Sequence, residues 1–351
     1  MKSLIGRLRR TNSISFYSLW LLVVLYALAI LADFISPYPY DLQNREYALC
    51  PPTVPHIARN GSLFPRPVVY EIKIVNPAFK EYSFDSSHKY SIRLFAKGEE
   101  RRIFGFLKTD RYFFGVDWPG MIFLFGTDLH GRDVFSRVLY GARISLSIGI
   151  IGVAISFILG LLVGGISGYF GGRTDTVLMR TVEIIMMFPF FYLMLALRAA
   201  FPPNLSSIQV YFLIVIILSL IGWASLARII RGMVLSLKEE EYVLAARSLG
   251  LSSFRIITRH ILPNTLSYTV TALTLSIPDY ILGESALSLL GLGIQEPYPS
   301  WGNMLSVTVG NLRILTMAPW MLIPGFFIFL TVIAYNFLGD GIRNVTDPRN
   351  W

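Results

Sequence analysis

Two acidic side chains stand out because both lie inside a long apolar stretch of the chain. Asp279 and Glu284 fall within Ile261–Leu290, a run long enough to cross a lipid bilayer. An ionised carboxylate is costly in lipid, so such residues face the interior of a helix bundle or a water-filled cavity. This position indicates a polar pathway lined by Asp279 and Glu284. A purely structural hydrogen bond between Glu284 and a neighbouring helix is the alternative.

The sequence carries no pattern for covalent chemistry or nucleotide binding. It contains no G-x-x-x-x-G-K-[ST] phosphate loop, no G-x-S-x-G and no H-E-x-x-H. The four histidines, His56, His88, His130 and His260, are scattered and show no metal-ligand spacing. We therefore expect no catalytic residue, no metal site and no cofactor on this chain.

A second polar group lies in "FGTDLHGRD", just before another apolar run. Its members are small or charged residues: Gly126, Thr127, Asp128, Gly131, Arg132 and Asp133. Short polar side chains commonly cap a helix that follows them, and we expect the turn at residues 126–128 to supply the cap. We favour a solvated cap network here over contact with a substrate.

The composition places these residues in a membrane protein. Of the 351 residues, 54% are hydrophobic and only 15% are charged, whereas soluble globular chains carry about 25% charged residues. The formal net charge of +9 fits the Lys and Arg that collect in cytoplasmic loops. The basic residues form no continuous face for nucleic acid. A single cysteine, Cys50, excludes an intrachain disulfide.

Six stretches are apolar over about 20 residues, the length that crosses a bilayer. They are Ser13–Ala32, Ile144–Gly172, Thr176–Leu197, Ala199–Ala227, Ile261–Leu290 and Ile314–Gly339. Lys and Arg are frequent in the N-terminal tail and in residues 228–260, which predicts that both are cytoplasmic. Because the number of spans is even, the C-terminus is predicted to be cytoplasmic as well.

These spans divide the chain into four parts. The parts are a cytoplasmic tail at 1–12, a first transmembrane helix at 13–36, an extracytoplasmic domain at 37–124, and a five-helix core at 125–351 with a cytoplasmic loop at 237–263. In the extracytoplasmic part, residues 68–75 alternate apolar and polar side chains. Residues 89–108 read as two strands joined by a turn at 97–100. The predicted fold class is an all-α polytopic membrane protein of six transmembrane helices with a small β-containing extracytoplasmic insertion.

The cytoplasmic loop carries helix signals of its own. Glu241–Leu249 contains good helix formers with an acidic start, and Gly250 follows where a glycine commonly ends a helix. A second short helix is predicted at Phe254–Leu262, ended by Pro263. The small residues of the first helix and Gly250 would let another surface approach closely. The alternative is a helix pair that rests on lipid headgroups without a protein partner.

Four segments resemble the dipeptide and oligopeptide branch of ATP-binding-cassette (ABC) importer permeases, and the C-type subunit in particular. "AARSLGLSSFRIITRHILPN" (245–264) is similar to the EAA motif, with Leu244 at the position of the motif's glutamate and Glu241 one turn earlier. The other three are "FGTDLHGRDVFSRVLYGARISL" (125–146), "ESALSLLGLGIQEPYPSWGNML" (284–305) and "NFLGDGIRNVTDPR" (336–349).

The resemblance implies a role for the cytoplasmic loop. In the family this segment is the coupling loop, which docks on a separate ATPase subunit, and we use that name for residues 237–263. The residues expected to serve this contact are Glu241, Ala245, Ala246, Gly250, Leu262 and Pro263. The family also implies a type I permease fold in a bacterial or archaeal cytoplasmic membrane.

The implied partners are a second homologous permease, two ATPases that bind ATP and Mg²⁺, an extracytoplasmic solute-binding protein and the lipid bilayer. The implied substrate is a di- or oligopeptide, while nickel or another small solute is the alternative within the same class. A stand-alone secondary transporter is the alternative from another class, although it would need coupling-ion sites and commonly an inverted repeat. A membrane-anchored binding or sensor protein would not require five further spans.

Overall fold

The structure, a computed structural model, describes residues 6, 8, 12–59, 62–77, 79–103, 107–202 and 204–346. The predicted tail at 1–12 lies largely outside these residues. The described chain is mainly helical. Its helices are α1 (Ser13–Ile30), α2 (Ala32–Ile35), α3 (Val134–Phe170), α4 (Gly172–Met187), α5 (Phe190–Ala199), α6 (Ser207–Leu237), α7 (Glu241–Ser248), α8 (Ser253–Ile256), α9 (Leu262–Leu289), α10 (Trp301–Val309), α11 (Leu312–Met317) and α12 (Ile323–Thr346).

Four helical segments among the described residues are long and apolar enough to cross a membrane. They are α1, α3, α6 and Pro319–Val345, which contains most of α12. The pair α4 and α5 adds a fifth if it counts as one bent span. The fifth predicted span, Ile261–Leu290, corresponds to α9, a 28-residue helix in which Ser, Thr, Asp and Glu lower the hydropathy. A membrane protein with several apolar helices is confirmed, while the count of six stays a prediction.

The third predicted span is broken. Helices α4 and α5 are bent by 87° at the break between them. Pro189 lacks a backbone N–H, and it forces the preceding residue, Phe188, into an extended conformation with φ −81° and ψ 131°. One continuous helix over Thr176–Leu197 is therefore wrong, because hydropathy takes no account of a single proline inside an apolar run.

The chain divides into two compact units, the first made of Met1–Leu22, Ser147–Glu284 and Leu330–Trp351. Within it, glycines four residues apart on α3 face aliphatic residues four apart on α6. The pairs are Gly160–Leu226, Gly164–Ile230 and Gly168–Val234. A Cβ built on any of these glycines would lie 2.8 Å or less from the facing side chain. The two helices thus approach as closely as small residues at every fourth position allow in membrane proteins.

The second unit is made of Val23–Leu146 and Ser285–Phe329. Its centre holds Trp301, which is fully buried. The Trp301 indole N–H donates to the Val138 carbonyl at 3.0 Å, and its backbone N–H donates to Ser145 Oγ at 3.1 Å. The start of α10 is thereby fixed against the first turns of α3.

The second unit also carries an antiparallel sheet of order β1-β2-β3-β4. Its strands are β1 (His56–Arg59), β2 (Ser62–Asn76), β3 (Glu81–Ile103) and β4 (Leu107–Val116). The first half of β3 pairs with β2 and the second half pairs with β4. The small β insertion predicted from the alternating pattern is confirmed.

The turn predicted at 97–100 is wrong, because β3 runs straight through it. The register with β4 shifts between Lys97 and Arg101, so these residues form a bulge. Gly98 lies there against the ring of Tyr112, where a Cβ would clash. A glycine between charged residues can mark a bulge as well as a hairpin, and the sequence pattern alone does not separate the two.

Candidate functional site

The coupling loop begins with a short helix that ends on a glycine. Helix α7 has Glu241 in its first turn and Arg247 in its last, which suits the helix dipole at both ends. Gly250 has φ 74°, as predicted for a residue that follows a helix. The Leu251 N–H donates to the Ala246 carbonyl at 3.3 Å and closes the turn. The helix predicted at Glu241–Leu249 is thus confirmed.

The second half of the loop differs from the prediction. Helix α8 continues through a π-helical turn at Ile257–Ile261 directly into α9. Leu262, the residue before Pro263, keeps helical angles of φ −57° and ψ −38°. Pro263 directly follows the π-helical turn, an irregular part of the ladder, and the helix continues through it although proline has no N–H to donate. Pro263 therefore does not end a helix, and the expectation that it does is wrong.

One face of the coupling loop is packed into the first unit. Its buried residues are Val243, Ala246, Ile256, Ile257 and Ile261, and they join one apolar cluster with Tyr169, Leu226, Ile230 and Val234. The Arg247 guanidinium also lies over the Tyr169 ring, 5.4 Å from its centroid, within the range of a cation–π contact. A displacement of the loop would therefore be passed to the ends of α3 and α6.

The opposite face of the loop exposes large apolar side chains. Leu249 is 81% exposed and Phe254 is 76% exposed, while Leu244 is 47% exposed. Glu241 and Ala245 are exposed on the same helix. Large exposed apolar side chains on a segment whose other apolar side chains are buried are typical of a protein-contact surface. We call Leu244, Leu249 and Phe254 the exposed face of the coupling loop.

The residues predicted to contact the ATPase are thus not on one surface. Glu241, Ala245, Gly250 and Pro263 are exposed, whereas Leu262 is half-buried. Ala246 is only 5% exposed, because it packs inside the chain's own apolar cluster. Its small size serves packing within this chain, and its contact with another subunit stays a prediction. The apolar residues of the exposed face were not among the predicted contacts.

A half-buried ion pair joins α4 to α6 near the start of the coupling loop, and sequence reasoning missed it. Arg231 of α6 donates through Nε and Nη2 to the two oxygens of Asp175, at 2.6 and 2.5 Å. Ser167 Oγ donates to the same carboxylate at 2.5 Å. This bidentate pair ties α4 to α6 shortly before the coupling loop begins. The partners are 56 residues apart in the sequence, so no local sequence pattern predicts the pair.

The "FGTDLHGRD" segment forms a tight, buried turn in the second unit. Gly126 and Gly131 both have φ 71°, a conformation that favours glycine. Asp128 Oδ1 accepts the backbone N–H groups of His130 and Arg132 at 2.8 and 3.0 Å. The side chain of Thr127 is fully buried and accepts the Cys50 N–H at 2.8 Å. The segment is therefore a buried turn that is held by hydrogen bonds within the chain, and it is not a solvated network.

The charges of this turn are paired at short distance. Arg132 Nε lies 2.6 Å from Asp128 Oδ2, and Arg132 Nη1 lies 2.6 Å from Glu296 Oε2. Arg137 Nη2 lies 3.0 Å from Glu296 Oε1. Both guanidinium groups are almost fully buried, while Glu296 is 46% exposed. We call Asp128, Arg132, Asp133, Arg137 and Glu296 the Arg132 cluster; Arg137 and Glu296 were not among the predicted residues.

Asp133 supplies the side-chain cap of α3. Its Oδ2 accepts the Ser136 backbone N–H at 2.8 Å and the Ser136 hydroxyl at 2.6 Å. Its Oδ1 is buried without a hydrogen-bond partner among the described residues. Burial raises the pKa of Asp133 to about 7. The Gly126 carbonyl also accepts the Val134 N–H at 3.0 Å, so the predicted contribution of residues 126–128 to the start of α3 comes from the backbone.

The two acidic residues of α9 have different surroundings. Asp279 is exposed on the surface of the chain, while Glu284 is fully buried in the first unit. A charged group on a helix that crosses lipid needs water or a protein partner beside it. Asp279 is therefore the better placed of the two to line a pathway between this chain and another.

One group of metal-ligand residue types comes together among the described residues, on the sheet. The side-chain oxygens of Glu71 and Asp85 and a ring nitrogen of His88 lie within 4.8 Å of one another. Lys73 Nζ lies 2.6 Å from Asp85 and 3.5 Å from Glu71, so an ammonium already holds the carboxylates. The hydrogen bond from Lys73 keeps the pKa of Asp85 well below its usual range. We assign no metal to this exposed group.

The comparisons with known proteins cover most of the chain. Residues 138–351 match the family "Binding-protein-dependent transport system inner membrane component". This chain belongs to that family. Residues 6–52 match the "N-terminal TM domain of oligopeptide transport permease C". Membership decides against a stand-alone secondary transporter and against a sensor.

Individual relatives agree with the family. The chain is 44% identical to the dipeptide transport system permease protein DppC of Bacillus subtilis, over 64% of this chain and 68% of the relative. It is 45% identical to the oligopeptide transport system permease protein OppC of Haemophilus influenzae, over 64% and 70% respectively. The resemblance read from the four sequence segments is thus confirmed at the level of the family.

Proposed function

We propose that this chain is one permease subunit of an ATP-driven importer for di- and oligopeptides. The observation that carries the proposal is the exposed face of the coupling loop. Leu249 and Phe254 stand out from a segment whose other face is packed on α3 and α6. A contact made there by another protein would be transmitted to these helices without a flexible joint. The similarity to dipeptide and oligopeptide permeases supports the substrate class.

The complete importer contains further chains. We infer a second homologous permease, two ATPases that bind ATP and Mg²⁺, and an extracytoplasmic solute-binding protein. The permease itself performs no hydrolysis, since it carries no phosphate loop. Both termini and the coupling loop face the cytoplasm, and the β insertion faces the other side. Labelling of single cysteines introduced at residue 88 and at residue 255 from either side of the membrane tests this orientation.

Asp279 is the candidate for substrate contact on this chain. Its carboxylate is exposed on α9, and the α-ammonium of a peptide is a cation of suitable charge for it. Glu284 on the same helix is enclosed by the chain itself, so it holds the helix in place. A pathway formed between the two permeases would then bring Asp279, and not Glu284, to the peptide.

Uptake by the reconstituted importer tests the proposal. We expect ATP-dependent uptake of small peptides, and we expect Asp279→Asn to reduce uptake of peptides with a free amino terminus more than uptake of N-acetylated peptides. Glu284→Gln is the matched control on the same helix, and it should affect both peptides equally. If the importer took up nickel chelates and did not take up peptides, the assignment of peptides as the substrate would be contradicted. An equal loss of both peptides in Asp279→Asn would remove Asp279 from the pathway.

A further inference from the structure

Three phenylalanines from separate parts of the second unit meet just beyond α1. Phe34 belongs to α2, Phe95 to β3 and Phe113 to β4. The ring centroid of Phe34 lies 6.1 Å from that of Phe95 and 6.0 Å from that of Phe113. The rings of Phe95 and Phe113 are 6.4 Å apart in an edge-to-face arrangement. These are ordinary aromatic packing distances, so the sheet is fixed to the end of the first long helix.

The aromatic cluster is not covered by this chain. Phe95 is 56% exposed and Phe113 is 43% exposed. Both rings are held in place by Phe34 and yet present about half of their surface outward. An exposed, rigid aromatic pair of this kind is typical of a contact surface.

Basic residues flank the aromatic pair on the same two strands. Lys97 and Arg111 are directly opposite each other in the β3–β4 ladder, and the Lys97 side chain is 82% exposed. Like charges directly opposite each other are unfavourable unless an anion lies nearby. Asp110 is 3.7 Å from Lys97 and balances one of the two charges. Over residues 89–117 the sequence holds seven basic and four acidic residues, so the hairpin keeps a positive excess.

The position of Phe34 fixes the depth of this surface in the membrane. Helix α1 is apolar enough to cross the bilayer, and Ile30 and Leu31 at its end are 52% and 39% exposed. Phe34 follows within one helical turn. Exposed apolar side chains at the end of α1 are thus followed closely by Phe34, whose ring packs on the two strand phenylalanines. Aromatic rings and basic side chains are the groups that settle at the membrane–water interface.

We propose that the β3–β4 surface formed by Phe95, Phe113, Lys97 and Arg111 lies on the membrane. The two rings enter the interfacial layer of the leaflet at the C-terminal end of α1, and the two cations meet anionic lipid headgroups. The sheet is then a membrane-surface element and not a freely projecting domain. This inference depends on the membrane span of α1 and is independent of the transported substrate.

Site-directed spin labelling of the chain in lipid nanodiscs tests the proposal. Cysteines replace Phe95, Phe113 or, as a control, Val75, an exposed apolar strand residue of β2 that is 64% exposed. Native Cys50 is buried, which raises the pKa of its thiol to about 12, so it should stay unlabelled. A high rate of collision between the label and oxygen indicates that the label lies in lipid. A high rate of collision with a water-soluble nickel chelate indicates that it lies in water.

The expected result is an oxygen-to-nickel accessibility ratio several-fold higher at 95 and 113 than at 75. Equal ratios at the three positions would overturn the proposal, because the surface would then be in water. Exclusion of both reagents at 95 and 113 would also overturn it, in favour of a protein partner. Two label positions keep the test valid if one substitution perturbs the strand.

Lipid composition tests the charged part separately. In nanodiscs of phosphatidylcholine and phosphatidylglycerol, Lys97→Gln with Arg111→Gln should lower the ratio at position 113. Nanodiscs of phosphatidylcholine alone should lower it in the otherwise unchanged chain. If the ratio at position 113 changed neither with the two Gln substitutions nor with the removal of phosphatidylglycerol, the assignment of these cations to anionic headgroups would be overturned.

Discussion

The coupling loop and the Arg132 cluster both lie in segments with strong sequence patterns, yet they place their side chains in opposite ways. The loop leaves apolar groups in the open, with Leu249 81% and Phe254 76% exposed. The Arg132 cluster buries charged groups and pairs them within the chain, with Arg132 4% and Arg137 1% exposed. Exposed apolar surface indicates a partner, whereas satisfied buried charge indicates internal structure.

This difference indicates that the two sequence patterns serve different purposes: binding to a partner in the coupling loop, and stability of the fold in the Arg132 cluster. In the coupling loop, replacement of an exposed side chain should change binding and leave stability unaltered. In the Arg132 cluster, replacement of a paired charge should change stability and leave the loop's contacts unaltered. The predictions below test this division, in order of the expected effect on stability.

The largest effect is expected where α3 and α6 pack beneath the coupling loop. A Cβ on Gly164 would lie 2.5 Å from the Ala227 carbonyl oxygen and 2.8 Å from Ile230 Cβ. Gly164→Ala should therefore destabilise the chain by about 3 kcal/mol through overpacking. Thermal unfolding in detergent measures this loss.

Gly232→Ala is the matched control, because a Cβ there meets nothing within 4 Å. It should be neutral or stabilise α6 by up to about 1 kcal/mol. Equal melting temperatures for Gly164→Ala and the unchanged chain would show that the base of the coupling loop is loosely packed.

The next effect is expected at Glu296, which pairs with both buried arginines. Glu296→Ala would leave Arg132 with Asp128 alone and would remove the closest partner of Arg137. We expect a loss of about 2 to 3 kcal/mol, below the usual cost of breaking a fully buried pair because Glu296 is half exposed. Glu296→Gln should cost less, since it keeps hydrogen-bond acceptance. A melting temperature unchanged in both variants would contradict the structural role of the cluster.

A smaller, pH-dependent effect is expected at Asp133. Burial raises its pKa from an ordinary 3.8 to about 7 in the folded state. The folded chain thus keeps a proton that the unfolded chain releases, so stability from this group falls as pH rises between about pH 4 and pH 7. Asn caps a helix as well as Asp does but does not titrate.

The comparison of Asp133→Asn with the unchanged chain isolates this titration. The stability of the variant relative to the unchanged chain should rise by about 1 to 2 kcal/mol from pH 5 to pH 7, less than the full shift because the helix N-terminus favours the ionised form. A difference in melting temperature that stays constant over this range would show that Asp133 is ionised throughout.

The smallest effect on stability is expected on the exposed face of the coupling loop. Leu249→Asp should change the free energy of unfolding by less than about 0.5 kcal/mol, since the side chain makes few contacts within the chain. Val243→Asp, in the adjoining helix α7 and only 1% exposed, should be strongly destabilising. Similar melting temperatures for the two variants would show that α7 does not have distinct faces.

Sequence patterns predicted the parts of this fold that depend on local chemistry. Hydropathy located four long apolar helices, and alternation located the β insertion. The helix at residues 241–249 and the positive φ of Gly250 followed from helix-end preferences. Each of these signals lies within a few residues of the feature that it predicts.

The errors arose where a distant contact decides the outcome. Ala246 is buried in an apolar cluster that includes the distant residues Tyr169 and Leu226, and no nearby residue reveals this. Glu296 joins the Arg132 cluster from 164 residues away. Pro189 broke a span, whereas the helix continues through Pro263 directly after a π-helical turn, so a proline alone does not settle where a helix ends.

Retention of ATPase subunits during purification tests the central claim most directly. The permease is co-expressed with the phosphate-loop ATPases of the same genome and isolated through a tag on the permease. The account predicts that Leu249→Asp with Phe254→Asp loses the ATPases while keeping its melting temperature, and that Glu296→Ala keeps the ATPases at a lower melting temperature. Full retention of the ATPases by the Leu249→Asp, Phe254→Asp variant would contradict the assignment of the exposed face as the coupling surface.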